Sequence, residues 1–159
     1  MATRQIVKDT EDILRKKSRP VERIDDRVLA LLDDMNETLT KADGAGLAAV
    51  QVGVLKRVVV IHVGEDELEL INPRILSQSG EQETVEGCLS CPGKWGITKR
   101  PMKVKVEYLD RNGKKRTKTA EGLLAKAFCH EIDHLDGKLY YDESLVRFVT
   151  EEELEQLGS

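Results

Sequence analysis

Apolar residues recur at helical spacing in IDDRVLALLDDMNETLTKA, where Val28, Leu31, Leu32, Met35 and Leu39 fall on one stripe. Asp25 or Asp26 stands where an N-cap is needed. The pattern then changes. KRVVVIHV is rich in β-branched residues and predicts a strand. ELELINP alternates and predicts a strand that stops at Pro73, and KVKVEYLDRNGKKRTKT predicts a hairpin turning at Asn112-Gly113. EGLLAKAFCHEIDHLDG returns to helical spacing and ends at Gly137. Helix, several antiparallel strands, helix is the order of an α+β domain rather than of alternating βαβ units. No repeat or low-complexity linker interrupts it, so the 159 residues are expected to form a single domain spanning 1–159.

The second helical stretch carries chemistry. Leu123, Ala127, His130 and His134 share one face, and Leu124, Phe128, Ile132 and Leu135 form the neighbouring stripe. Both histidines are therefore predicted to point inward with the apolar residues. One such histidine is usually a hydrogen-bonded core residue. Two at i and i+4 lie roughly 5–6 Å apart on one face. They can grip one metal ion, with Glu131 beside them as a general base. His62, alone in a strand, keeps the structural reading.

Composition narrows the partners. The net charge of −4 is spread over mixed signs, which argues against a nucleic-acid grip by bulk charge. Apolar runs such as Val58 to Ile61 fall far short of the roughly 20 residues a membrane span needs. MATRQIVKDTED turns acidic before an apolar core forms, so no secretory signal is expected there. The three cysteines, Cys88, Cys91 and Cys129, cannot all pair. That fits a reducing, cytoplasmic setting, where cysteines more often serve metals or catalysis.

A catalytic metal usually has three protein ligands and one open position, so a third ligand is needed. Continuation as HExxHxxGxxH fails, because Tyr140 stands where the histidine belongs. A zincin-like metalloprotease would draw a glutamate from TEEELEQ, and spacing leaves this open, although an acidic run is usually a solvated face. A non-enzymatic Cys2His2 zinc module would pair Cys88-x-x-Cys91 with the histidines. The 38 residues between Cys91 and His130 are long for such a module, which typically has about 12 to 15, and Glu131 would have no task. Cys88 alone gives two imidazoles, a thiolate and an open place. EGCLSCPG reads as a loop that offers a ligand beside the N–H of Leu89. GAGLAAVQVG, residues 44 to 53, adds small residues that let a backbone approach closely, and Gln51, a neutral donor.

In this order and spacing, GAGLAAVQ, EGCLS and HEIDH resemble the three signature motifs of peptide deformylases of the compact bacterial type. The likeness extends to IVKDTEDILRKKSRPV near the start. It implies antiparallel β-sheets packed around a central metal-binding α-helix, with an N-terminal helix. It implies one divalent metal per chain, usually Fe(II) and sometimes Zn(II), on Cys88, His130 and His134. Glu131 would be the general acid/base, and Gln51 and the Leu89 N–H would face the oxyanion. Gly46 and Gly87 would present backbone to the peptide, and Ala45 and Leu123 would line the methionine pocket. The implied substrates are N-formylmethionyl nascent polypeptides, met close to the ribosome in the cytoplasm. Three positions depart from common choices in the family: Asp9-Thr10-Glu11 replaces a proline-containing turn, Ala45 replaces Ile or Val, and Cys129 replaces glutamine. A residue preceding His130 points about 100° away on a helix, so Cys129 is not expected to be a ligand.

Overall fold

The structure, a computed structural model, describes residues 2–157; Met1, Gly158 and Ser159, at the ends of the expected domain, lie outside the described residues. Its first long element is α1 (Asp26–Ala42), capped by the Asp25 carboxylate, which accepts the Val28 N–H at 3.0 Å. Strands β1 (Gly46–Ala48), β2 (Val58–Val63) and β3 (Asp66–Ser79) follow, then β4 (Gln82–Gly87) and β5 (Trp95–Arg100), and then the hairpin of β6 (Lys103–Leu109) and β7 (Lys115–Glu121). α2 (Gly122–Leu135), β8 (Leu145–Phe148) and α3 (Glu151–Leu157) complete the described chain. One sheet has the order β1-β2-β3-β6-β7 and the other β4-β5-β8, with antiparallel pairing throughout.

The long apolar run of β2 has a packing reason. Val59 and Ile61 face the core around α2, while Val58 and Val60 face the core beneath α1, so successive residues on both faces are buried. α2 is apolar on most of its circumference because sheets surround it: Ala125, Phe128, Ile132 and Leu135 meet Ile61, Leu70, Val104 and Val106 in one cluster. No helix among the described residues is long and apolar enough to cross a membrane.

Two expectations need correction. β3 does not stop at Pro73 but continues to Ser79. Pairing with β6 shifts register between Ile71 and Arg74, so the proline, which lacks an N–H, occupies a bulge rather than the regular ladder. Asn72 beside it has φ 52°, and its amide exchanges two hydrogen bonds with the Val21 backbone at 2.8 and 2.9 Å. The second correction is Leu123. It is 54% exposed rather than inside, because it sits on the first turn of α2 at the rim of a cavity. The other end of α2 stops at Gly137, whose φ is 75°, and a side chain there would collide with the Arg15 carbonyl.

Candidate active site

α2 carries His130, Glu131 and His134 inward, at 7%, 4% and 0% exposure. The turn after β4 brings Cys88 to them. That turn is closed by the Cys91 N–H donating to the Cys88 carbonyl at 2.9 Å, which leaves the Leu89 N–H outside the turn's own bond. Cys88 Sγ lies 3.3 Å from His134 Nε2, and the two histidine Nε2 atoms are 3.1 Å apart. All three donor atoms fall within 4.8 Å of one another. Electron-rich sulfur and nitrogen atoms facing one another this closely repel unless a proton or a cation lies between them. One thiolate and two imidazoles suit a zinc or iron ion better than calcium or magnesium, and three ligands leave a fourth position open.

Sequence reasoning missed the support behind His130. Glu86, two residues before Cys88, accepts a hydrogen bond from His130 Nδ1, which directs Nε2 toward Cys88 and His134. Glu86 in turn accepts from Thr98 Oγ1 at 2.7 Å and from Arg100 at 2.8 and 3.1 Å, and Arg100 also reaches Asp133 at 2.7 Å. Burial works against the Glu86 carboxylate, yet His130 and Arg100 hold its pKa far below the usual range. Burial likewise pulls His130 down, but Glu131 and Glu86 outweigh it and raise its pKa. Burial and the His130 charge push His134 well below its ordinary value. The neighbouring Cys91 thiol, burial and Glu131 raise the Cys88 thiol, a preference a bound cation reverses, since a coordinating thiol is deprotonated outright. Metal uptake at this site would therefore compete with protons.

Glu131 occupies a different position from the donors. Its Oε1 is buried without a partner, and its Oε2 is 3.9 Å from His130 Nε2. Burial pushes its pKa up to about 7, which suits proton exchange near neutrality. Gln51, 1% exposed, is held by its Oε1, which accepts the Ala48 N–H at 2.9 Å. Its Nε2 then points at Ser90 Oγ, 3.1 Å away, and Cys88 Sγ, 3.5 Å away. These groups open onto a cavity of about 520 Å³ whose walls include Ala45, Gly46, Gly87, Leu89 and Leu123. The glycines have steric reasons: a Cβ on Gly46 would lie 2.7 Å from Glu131 Oε2, and one on Gly87 would lie 2.8 Å from Trp95 Cδ1. Lys126 and Trp95 also line the cavity, and sequence reasoning passed over both.

The remaining candidates lie outside the donor group. His62 Nε2 lies 2.9 Å from Asn36 Oδ1, on another face of the chain. Cys91 is 1% exposed and, like Cys129, does not join the donor group. Burial pushes the Cys129 thiol up to about 11. The tail glutamates lie on α3, where Glu153 pairs with Arg147 at 2.7 Å on the surface.

Comparison with known proteins agrees along the whole chain. The family model described as polypeptide deformylase matches residues 3–147. A peptide deformylase of Thermoanaerobacter pseudethanolicus is 55% identical over 157 residues, covering 99% of this chain and 98% of the relative. Peptide deformylase 2 of Clostridium acetobutylicum is 59% identical over 143 residues, 89% of this chain and 95% of that one. The crystal structure of a peptide deformylase from Legionella pneumophila has a TM-score of 0.87 at 38% identity, covering 99% of this chain and 98% of that chain. That of the Ehrlichia chaffeensis peptide deformylase in complex with actinonin has a TM-score of 0.88 at 36% identity, covering 98% and 94%. With sequence and fold in agreement from end to end, this chain belongs to the polypeptide deformylase family.

Proposed function

We propose that this chain, as a single deformylase domain over residues 1–159, hydrolyses the N-formyl group from the N-formylmethionine of newly made proteins and releases formate. The observation that carries this reading is the convergence of Cys88, His130 and His134 beside buried Glu131, whose Oε1 has no hydrogen-bond partner, with Cys88, His130 and Glu131 lining one cavity. Cys88 Sγ and the two Nε2 atoms hold one divalent metal, Fe(II) in preference to Zn(II). When bound, such an ion supplies Lewis acidity and lowers the pKa of water near neutrality.

The chain's own residues do the rest. Glu131 takes a proton from the attacking water and returns it to the departing amine nitrogen. Gln51 Nε2 and the Leu89 N–H donate to the oxygen on which charge develops, and one such donor is worth roughly 3–4 kcal/mol. A neutral amide serves here because it donates without adding a charge beside the cation. Glu86 and Arg100 keep His130 oriented. Gly46 and Gly87 offer backbone to the peptide, and Ala45 and Leu123 flank the methionine side chain. The substrates are nascent chains met near the ribosome in the cytoplasm.

Substrate discrimination tests the reading. A formyl carbon carries only hydrogen, so it can approach between Leu89 and Gly46. An acetyl methyl would have to enter the same packed wall, and overpacking costs typically about 1–3 kcal/mol. Formyl-Met-Ala-Ser is expected to release formate, with acetyl-Met-Ala-Ser slower by at least about tenfold and the internal peptide bonds intact. Mass spectrometry of both product mixtures decides it; internal cleavage with the formyl group left in place would move the chain to the proteases.

Gly46→Ala tests the wall itself. The new Cβ would displace a carboxylate that has little room to move, since Glu131 is buried. A misplacement of about 1 Å can cost 10²-fold in rate. The variant is expected to keep its metal and lose at least about tenfold in kcat. Formate release measured beside metal content checks this, and an unchanged kcat would show that Gly46 does not constrain Glu131.

A further inference from the structure

Cys91 has no part in the division of labour above, yet it sits against its centre. The tight turn from Cys88 to Cys91 is closed by a 2.9 Å backbone hydrogen bond, which keeps both cysteines on one turn at the cavity. Such a turn holds its first and last Cα atoms within about 7 Å, while a disulfide needs about 4.4–6.8 Å. The backbone is therefore already in the range that an S–S bond requires. Both cysteines line the cavity, so a small oxidant can reach Cys88, the less buried of the two, while Cys91 is only 1% exposed. The third cysteine, Cys129, lies on α2, outside this turn.

We propose that Cys91 is a resolving cysteine, which traps oxidised Cys88 as a reversible Cys88–Cys91 disulfide when a peroxide enters the cavity. In the first step Cys88 sulfur attacks a peroxide oxygen. The O–O bond breaks, an S–O bond forms, and water leaves, giving a sulfenic acid. Cys91 sulfur then attacks Cys88 sulfur. The S–S bond forms, the S–O bond breaks, and hydroxide departs with the Cys91 proton as a second water. The two sulfurs lose two electrons and the peroxide gains them. A dithiol reverses the bond by exchange. Without a nearby thiol, a sulfenic acid proceeds to the sulfinic and sulfonic acids, which exchange cannot restore. The disulfide removes Cys88 from the donor set, so oxidation releases the metal but leaves the site recoverable.

The test uses zinc-loaded protein, because zinc is redox-silent and every oxidation is then the peroxide's. Wild type and Cys91→Ser are treated with hydrogen peroxide, quenched, alkylated and digested with trypsin. Cys88 and Cys91 fall in one tryptic peptide, residues 75–94, and Cys129 falls in another, residues 127–138. The wild-type 75–94 peptide is expected to be lighter by two hydrogens and unalkylated, with zinc released into solution. After dithiol and fresh zinc, wild type is expected to regain at least about tenfold more bound zinc than Cys91→Ser, whose Cys88 carries two or three added oxygens. Cys91→Ala serves as the second variant should serine perturb the buried turn, and gives the same oxygen-bearing product. Equal over-oxidation of Cys88 in wild type and variants, or a link from Cys88 to the 127–138 peptide, would overturn the proposal. The mechanism rests on metal ligation by Cys88 only for zinc release. Peptide masses read the thiol chemistry separately, so a disulfide without zinc loss would count against the ligand assignment and not against the resolving role.

Discussion

Glu131→Gln is expected to retain one metal per chain and to lose about 10²-fold or more in kcat. Glutamine keeps the shape of the side chain but cannot accept and return a proton. Burial holds the native carboxylate at a pKa of about 7, where it exchanges protons readily near neutral pH. It is also near the donors without being one of them, since Oε2 lies 3.9 Å from His130 Nε2 while the thiol and imidazole donors converge elsewhere. The substitution therefore separates chemistry from ligation. Metal analysis of the purified variant and initial rates of formate release are the two measurements. Loss of metal in proportion to activity would make Glu131 a ligand or a structural partner.

Cys88→Ala is expected to lose at least about 100-fold in metal affinity and, with it, activity. Removing an outer partner of a metal ligand typically costs about 10–100-fold, and removing a ligand itself costs no less. The two remaining nitrogens, 3.1 Å apart, would have to hold the ion without the sulfur opposite them. Glu153→Ala is the matched control. That carboxylate is on the surface with Arg147 and Thr150 as its partners, and its loss is expected to leave metal content unchanged. Titration with a metal-sensitive dye or elemental analysis compares the two. Full metal content in Cys88→Ala would sink the three-ligand arrangement and reopen the choice of third ligand.

Much of this molecule was legible before its structure, for identifiable reasons. The α1 stripe, its Asp25 cap and the turn at Asn112-Gly113 depend on neighbours a few residues apart, so local pattern is enough. The meeting of Cys88 with His130 and His134 is not local. It was legible because so few residue types bind such metals and because the i, i+4 spacing restricts the geometry. Glu86 was not legible: its partnership with His130, Thr98 and Arg100 depends on the register in which β4 pairs with β5 and on where α2 crosses them. β8 escaped for the same reason, since its partner β5 lies far back in the chain. At Pro73 a sound local rule met an exception, because a bulge removes the need for the missing N–H. Leu123 shared the helical face of the histidines, but position along the helix axis, which periodicity does not report, left it in solvent.

The turn bearing Cys88 and the helix bearing His134 are 46 positions apart along the chain and belong to different layers. A bound cation would thus act as a clasp across three strands, closing a long loop that the unfolded chain leaves open. Because the ion binds the assembled state and finds no ready-made cage in the unfolded one, its affinity is part of the folding free energy. By mass action, a free concentration 100 times Kd adds about 2.7 kcal/mol. The candidate site would in this sense also be a rivet, and starving the protein of a bound metal would weaken the architecture along with the chemistry.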